Sequence, residues 1–234
     1  MDKCSTKMIY ITESEKESKK ERDYIMYKVF IHGLGQNASS WSETISYMEY
    51  QKSSVYPELS SFIEKEDVSY SKLYKGFAEY CDSISEPLNL CGLSLGAVLA
   101  LNYTLDNPEK VKSLVLIAPQ YKMPKLLLKF QNTLFRFMPE SAFRSIGMTR
   151  NDFIALTNSM MDLNLDKDLK TITCPVLLLC GEKDRANKKA TKELAKRIEK
   201  AEIQFIKNSK HEMNLDSSKE LAKTLDSFYS KVYR

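Results

Sequence analysis

Leu90-Cys91-Gly92-Leu93-Ser94-Leu95-Gly96 decides how this chain is read. The stretch has the pattern G-x-S-x-G, with Gly92, Ser94 and Gly96 in the fixed positions. An apolar run, Leu88-Asn89-Leu90-Cys91, leads in, and a helix-forming run, Ala97-Val98-Leu99-Ala100-Leu101, leads out. Strand, sharp turn and helix form the context in which this pattern carries chemical meaning. Such a turn holds its central residue in a strained backbone conformation. Small residues on both sides let strand and helix approach closely. Ser94 is therefore expected at the C-terminal edge of a sheet. The helix N-terminus beside it offers free N–H groups and the positive end of a dipole to a developing oxyanion.

On either side the chain alternates apolar strands with amphipathic helices. Lys28-Val29-Phe30-Ile31 reads as a buried strand running into His32-Gly33-Leu34-Gly35-Gln36, and Ser113 to Ala118 as another that Pro119 stops. Pro175 to Cys180 leads into Gly181-Glu182-Lys183-Asp184, and Ile203 to Ile206 is the last strand, followed by the loop that carries His211. Shorter strands are expected at Met8–Thr12, Tyr24–Tyr27 and near Val55, with a charged turn from Glu13 to Arg22. Helices are expected over Ser39–Tyr50, Tyr70–Ile84, Lys188–Lys200 and from Ser217 onward; Leu73, Phe77 and Tyr80 are spaced for one buried face. This alternation predicts an α/β fold, a mostly parallel central sheet with helices on both faces. Chemistry in such sheets gathers at the C-terminal strand ends, where His32, Ser94, Asp184 and His211 all fall.

At 234 residues the chain suits one α/β domain with an insertion. A net charge of +4, with no basic stripe carrying interleaved aromatics, gives no reason to expect nucleic acid as a partner. The cysteines Cys4, Cys81, Cys91, Cys174 and Cys180 are odd in number and lack C-x-x-C spacing, so disulfides and zinc are not expected. The first residues hold no apolar signal-like region and no long apolar span follows, so a cytoplasmic location without stable membrane insertion is expected.

A serine hydroxyl needs a neighbouring base, and the base needs a group to orient it. The chain has only two histidines, His32 and His211. The order Ser94, Asp184, His211 is Ser…Asp…His. On His32-Gly33-Leu34-Gly35, Gly92-x-Ser94-x-Gly96, and Gly181-Glu182-Lys183-Asp184 with the later His211, the sequence resembles the α/β-hydrolase superfamily across nearly its whole length. The resemblance implies the α/β-hydrolase fold, with Ser94 as nucleophile, His211 as general base and acid, and Asp184 holding the imidazole. It implies an oxyanion hole of backbone N–H groups from Leu34 and Leu95, and a buttressing part for His32. Two readings compete for Asp184: a turn residue, or a cap for the helix that follows. Glu182 is a rival acid that should point elsewhere, and Asp216 lies too close to His211 in sequence. Lys210 departs from the glycine that often precedes the histidine in relatives.

The function expected is hydrolysis of a carboxylic ester or related acyl compound through an acyl-enzyme, with a small-molecule substrate and no metal or organic cofactor. The alternative is a non-catalytic relative of the fold that binds a ligand or partner. Such chains usually lose a triad member, and none is lost here. Residues 1–119 and 167–234 are expected to form the core, and 120–166 a helical cap, since so long a stretch needs structure of its own. Pro124 to Met138 reads as a helix with Leu127, Phe130, Leu134, Phe137 and Met138 on one side and Lys125, Lys129, Asn132 and Arg136 on the other. Thr149 with Asp152 is expected to start a second helix to about Met161. The apolar side, with Leu127, Phe130 and Leu134, is expected to line the substrate pocket.

Overall fold

The computed structural model describes residues 27–49, 51–63, 67–144 and 146–233, apart from the side chain of Leu127. The strands expected at Met8–Thr12 and over Tyr24–Met26, and the charged run between them, lie outside the described residues. Six parallel strands form one sheet among the described residues: β1 (Tyr27–Ile31), β2 (Ser54–Val55), β3 (Leu88–Leu93), β4 (Val111–Ile117), β5 (Val176–Gly181) and β6 (Ala201–Ile206). Their order is β2-β1-β3-β4-β5-β6. The register sets Ile31 beside Gly92, Leu93 beside Ile117, Ile117 beside Leu179 and Gly181 beside Ile206. The C-terminal ends of β1, β3, β4, β5 and β6 are therefore neighbours.

The strands are apolar on both sides because helices cover both sheet faces. Val29, Ile31, Leu90, Leu114, Leu116 and Leu178 point to one face. They meet Leu73 and Phe77 of α2 (Tyr70–Asp82), Leu99 of α3 (Leu95–Asp106) and Leu194 of α7 (Lys188–Ala195). Phe30, Cys91, Val115, Leu177 and Leu179 point to the other. They meet Trp41, beside α1 (Ser42–Ser46), Met213 of α8 (Met213–Asp216), and Leu221, Leu225 and Phe228 of α9 (Ser218–Val232). Truncating any one of these leucines to alanine should cost about 2–5 kcal/mol, because the packed surroundings cannot collapse onto the gap. The central strands also carry one satisfied polar pair, the Ser113 hydroxyl donating to Asn89 Oδ1 at 2.7 Å.

Two expected helices are shorter than their pattern. Where a helix is expected over Ser39–Tyr50, the described residues to Glu49 make a 3-10 turn at Ala38–Trp41 and then only α1. Ser40 accepts from the Asn37 amide through its side chain, and its carbonyl accepts from Asn214. Such local polar contacts compete with helix propagation. The helix expected over Lys188–Lys200 ends at Ala195 and closes through tight turns leading into β6.

Between β4 and β5 lie α4 (Lys125–Phe137), α5 (Ser141–Arg144) and α6 (Arg150–Ser159). Thr149 and Asp152 form the expected capping box at the start of α6, their side chains bonding each other's amides at 3.2 and 2.8 Å. α4 lies the other way round from its expected placing. Asn132, assigned to the solvent side, is buried, where it bonds Asn158 at 2.8 Å and receives the Thr157 hydroxyl. Phe135 turns inward onto Phe153 and Phe143, at 5.3 and 6.0 Å between ring centres. Phe130 and Leu134 face outward instead. Among the described residues no helix is long and apolar enough to cross a membrane.

Candidate active site

Ser94 sits between the last residue of β3 and the first of α3. Its backbone has φ 52° and ψ −110°. A non-glycine residue held there costs about 1–3 kcal/mol, which the surroundings must offset. The Ser94 amide is pinned by the Ile117 carbonyl at 2.9 Å, and its carbonyl accepts from Val98 at 3.1 Å. Gly96 permits the close packing below, since a Cβ there would fall 2.2 Å from the Ile31 carbonyl oxygen. The serine is left partly exposed, and its hydroxyl caps nothing in α3.

Asp184 follows β5 and His211 follows β6, and the two side chains meet. His211 Nδ1 lies 2.7 Å from Asp184 Oδ2. Gly181 lets the two loops close up, because a Cβ there would fall 2.0 Å from the Lys210 carbonyl oxygen. The Asp184 side chain is 4% exposed while that of His211 is 41% exposed. Burial by itself would raise the Asp184 pKa. The hydrogen bonds with His211 and Asn187 outweigh it and hold the carboxyl below its ordinary value. The group is thus charged where an imidazolium would need it.

Asn187, which the sequence reading missed, holds this pair. Its amide nitrogen donates to Asp184 Oδ1 at 3.0 Å and Oδ2 at 2.8 Å, and lies 3.1 Å from His211 Nδ1. Its own carbonyl oxygen accepts from Gln120 at 2.7 Å. The signal was a polar residue three positions after the acid, at the start of α7. The capping alternative for Asp184 is partly realised too, since Oδ1 accepts the Asn187 backbone amide at 3.3 Å. The rival acids are occupied elsewhere. Glu182 accepts the Asn208 amide at 3.0 Å, and Asp216 accepts the Lys210 amide at 2.9 Å, which holds the histidine loop.

The His32-Gly33-Leu34-Gly35 turn lies against the elbow, where a Cβ on Gly33 would sit 3.6 Å from Ser94 Cβ. The Leu34 N–H makes no hydrogen bond among the described residues. The Leu95 N–H heads α3, where first-turn amides have no partner within the helix. His32 is buried and does not approach His211's place beside Asp184. The Leu59 amide donates to its Nε2 at 3.1 Å, so Nδ1 carries the proton toward the Gly33 carbonyl at 2.9 Å. Burial lowers its pKa, despite the Gly33 carbonyl and the Glu58 carboxylate at 3.3 Å from Nε2, which pull it upward. A second link missing from the sequence reading joins this turn to the histidine loop. Gln36 Oε1 accepts from the Gly33 amide and from Asn214 Nδ2, and Gln36 Nε2 donates to Glu212 and Asn214.

A narrow cavity opens beside the turn. Leu34 and Leu95 line it together with Leu59, Ile63, Ile146, Met148 and Leu156. Phe130 and Leu134, expected there, do not line it, because α4 docks through its other face; the side chain of Leu127 lies outside the described residues. A wider groove between Tyr47, Phe205 and the start of α9 contains none of Ser94, Asp184 and His211. The thiols of the described residues are all buried. Cys81, Cys91, Cys174 and Cys180 are free and buried, and burial pushes Cys174 and Cys180 up to about 11.

Residues 29–224 match the alpha/beta hydrolase family. This chain is a member of that family. Over 100 residues it is 34% identical to a pimeloyl-[acyl-carrier protein] methyl ester esterase of Pseudoalteromonas atlantica, covering 42% of this chain and 38% of that protein. Over 131 residues it is 29% identical to the probable lysophospholipase BODYGUARD 2 of Arabidopsis thaliana, covering 48% of this chain and 26% of that protein. The matches thus take in well under half the length of either curated relative. A thermophilic esterase from Thermogutta terrifontis superposes with a TM-score of 0.72 at 16% identity, covering 89% of this chain and 91% of that one, a likeness of fold.

Proposed function

We propose that this family member is a serine hydrolase that cleaves a carboxylic ester or related acyl compound. The observation that carries the reading is the buried Asp184 at 2.7 Å from His211 Nδ1, at the ends of β5 and β6 on the same sheet edge that carries the strained Ser94 after β3. In the proposed reaction His211 Nε2 takes the Ser94 proton as Oγ attacks the substrate carbonyl carbon. The oxyanion that forms accepts from the Leu34 and Leu95 N–H groups. His211 then passes the proton to the leaving alcohol oxygen as the C–O bond breaks. Water, deprotonated by His211, releases the acid from the acyl-serine. Asp184 favours the tautomer with the proton on Nδ1 and stabilises the imidazolium. Each oxyanion donor is worth about 10²–10³ in rate. The structure shows no hydrogen bond from the Ser94 hydroxyl, and apo sites of this kind often tighten only around substrate.

In this reading residues 120–166 form a cap over a core of 1–119 and 167–234. The apolar residues that line the narrow cavity beside Leu34 and Leu95 border the acyl group. The names of both curated relatives describe ester-cleaving enzymes, which supports the ester class. Nothing in the geometry favours the non-catalytic alternative, since each position of the serine, acid and histidine set is filled.

The test is labelling with a fluorophosphonate probe beside turnover of p-nitrophenyl esters. Wild type should label, and Ser94→Ala should not. Ser94→Ala and His211→Ala should each lose about 10³-fold or more in turnover while remaining folded, and Asp184→Asn similarly or somewhat less. Undiminished turnover in His211→Ala would overturn the assignment.

A further inference from the structure

α4 packs on α6 through one face, and among the described residues nothing covers another. Leu128, Asn132 and Phe135 turn inward. On the outside Leu126, Phe130, Leu134 and Phe137 are 84%, 62%, 50% and 83% exposed, and Met138 extends the row. At positions i, i+4, i+8 and i+11 they fall within about 80° of the helix circumference and run its length of about 20 Å. Soluble surfaces seldom leave so large an apolar row uncovered, and such rows mark interaction sites.

The charge beside the row points to one occupant. α4 contains three basic residues and no acid. Lys125 pairs with Asp162. Lys129 and Arg136 are exposed along one edge of the row, and neither has an acidic partner among the described residues. The row is a convex ridge, and no polar residue interrupts its four large side chains. A protein partner would need matched polar groups around an apolar centre. A lipid surface needs none, and it accepts a convex apolar ridge at the boundary of headgroups and acyl chains. We propose that α4 docks the protein on an anionic lipid surface. The four side chains enter the interface while Lys129 and Arg136 meet lipid phosphates. A 13-residue helix is too short to span a bilayer, so it lies in the plane of the surface.

The experiment is co-sedimentation of the full chain with phosphatidylcholine vesicles, with and without about one third phosphatidylglycerol. Wild type should bind the anionic vesicles, and about tenfold more weakly without the anionic lipid or in high salt. Leu126→Ser with Phe137→Ser should lower binding by about tenfold or more, as two deeply inserted side chains are lost. Lys129→Gln with Arg136→Gln should reduce anionic binding to the level on phosphatidylcholine alone. Turnover of a short soluble ester should stay unchanged in both pairs. Binding is read in Ser94→Ala protein as well, so this proposal stands or falls separately from hydrolysis. Absence of vesicle binding by wild type would overturn it, as would equal binding by the serine pair. So would a wild-type dimer that the serine pair converts to monomer without any vesicle binding, since the ridge would then belong to a second copy of the chain.

Discussion

Asn187 is the residue whose contacts reach furthest through the site. One amide group touches both Asp184 oxygens and approaches His211, while Gln120 fixes its other end. Gln120 follows β4 at the start of the 120–166 segment, so these contacts join that segment to the acid and the histidine. Asn187→Ala removes two donors from a buried carboxylate, and hydrogen-bonded networks in low dielectric lose more than one isolated bond. Asp184 should then titrate closer to its ordinary value. Steady-state kinetics on an ester should show kcat reduced by about tenfold with KM held, since the loss falls on imidazole orientation and not on ground-state binding. A merely structural role would lower the unfolding midpoint without that split.

At the scale of elements, α6 and the turn preceding it supply the cavity wall that α4 was expected to supply. Ile146, Met148 and Leu156 line the space beside the Leu34 and Leu95 amides. Filling that space should therefore alter acyl preference, and filling the outer face of α4 should not. Met148→Trp is expected to lower medium-chain p-nitrophenyl ester turnover by about tenfold relative to acetate, a loss of the size one or two excluded methylenes produce. The comparison is the ratio of kcat/KM values for the two chain lengths. Phe130→Trp, on the exposed face, should leave that ratio alone. A shift with Phe130→Trp and none with Met148→Trp would return the pocket to α4.

For the whole molecule the expected signature is sensitivity to acid. His32 is held neutral in the fold, with its pKa pushed below 6.5 chiefly by burial. The unfolded chain then binds a proton that the folded chain refuses, and stability falls as pH drops through about 6.5. Asp184 acts in the same direction at lower pH. Its carboxyl is held below the ordinary value, so the stability it contributes is present above about pH 4 and is lost as pH falls through the folded value. Urea unfolding from pH 7.5 down to 5.5 should show the midpoint declining in wild type and declining less in His32→Gln. An identical slope in the variant would remove His32 as the cause.

The amino-acid sequence by itself determined what depends on near neighbours. The run Gly92–Gly96, the apolar strands before His32 and Asp184, and the capping pair Thr149–Asp152 are short-range patterns, and steric and hydrogen-bonding rules act on them locally. They place Ser94, Asp184 and His211 after β3, β5 and β6, and parallel pairing through β4 then sets those strand ends along one edge of the sheet. Periodicity also showed that α4 has an apolar face. Only the tertiary structure decided where that face points. Asn132 looked like a solvent residue until Thr157 and Asn158, far along the chain, supplied the partners that make its burial tolerable. Asn187 and the Gln36–Asn214 link escaped for the same reason. A hydrogen bond between residues distant in sequence leaves no period and no spacing to read, and it exists only once the sheet has brought its loops together.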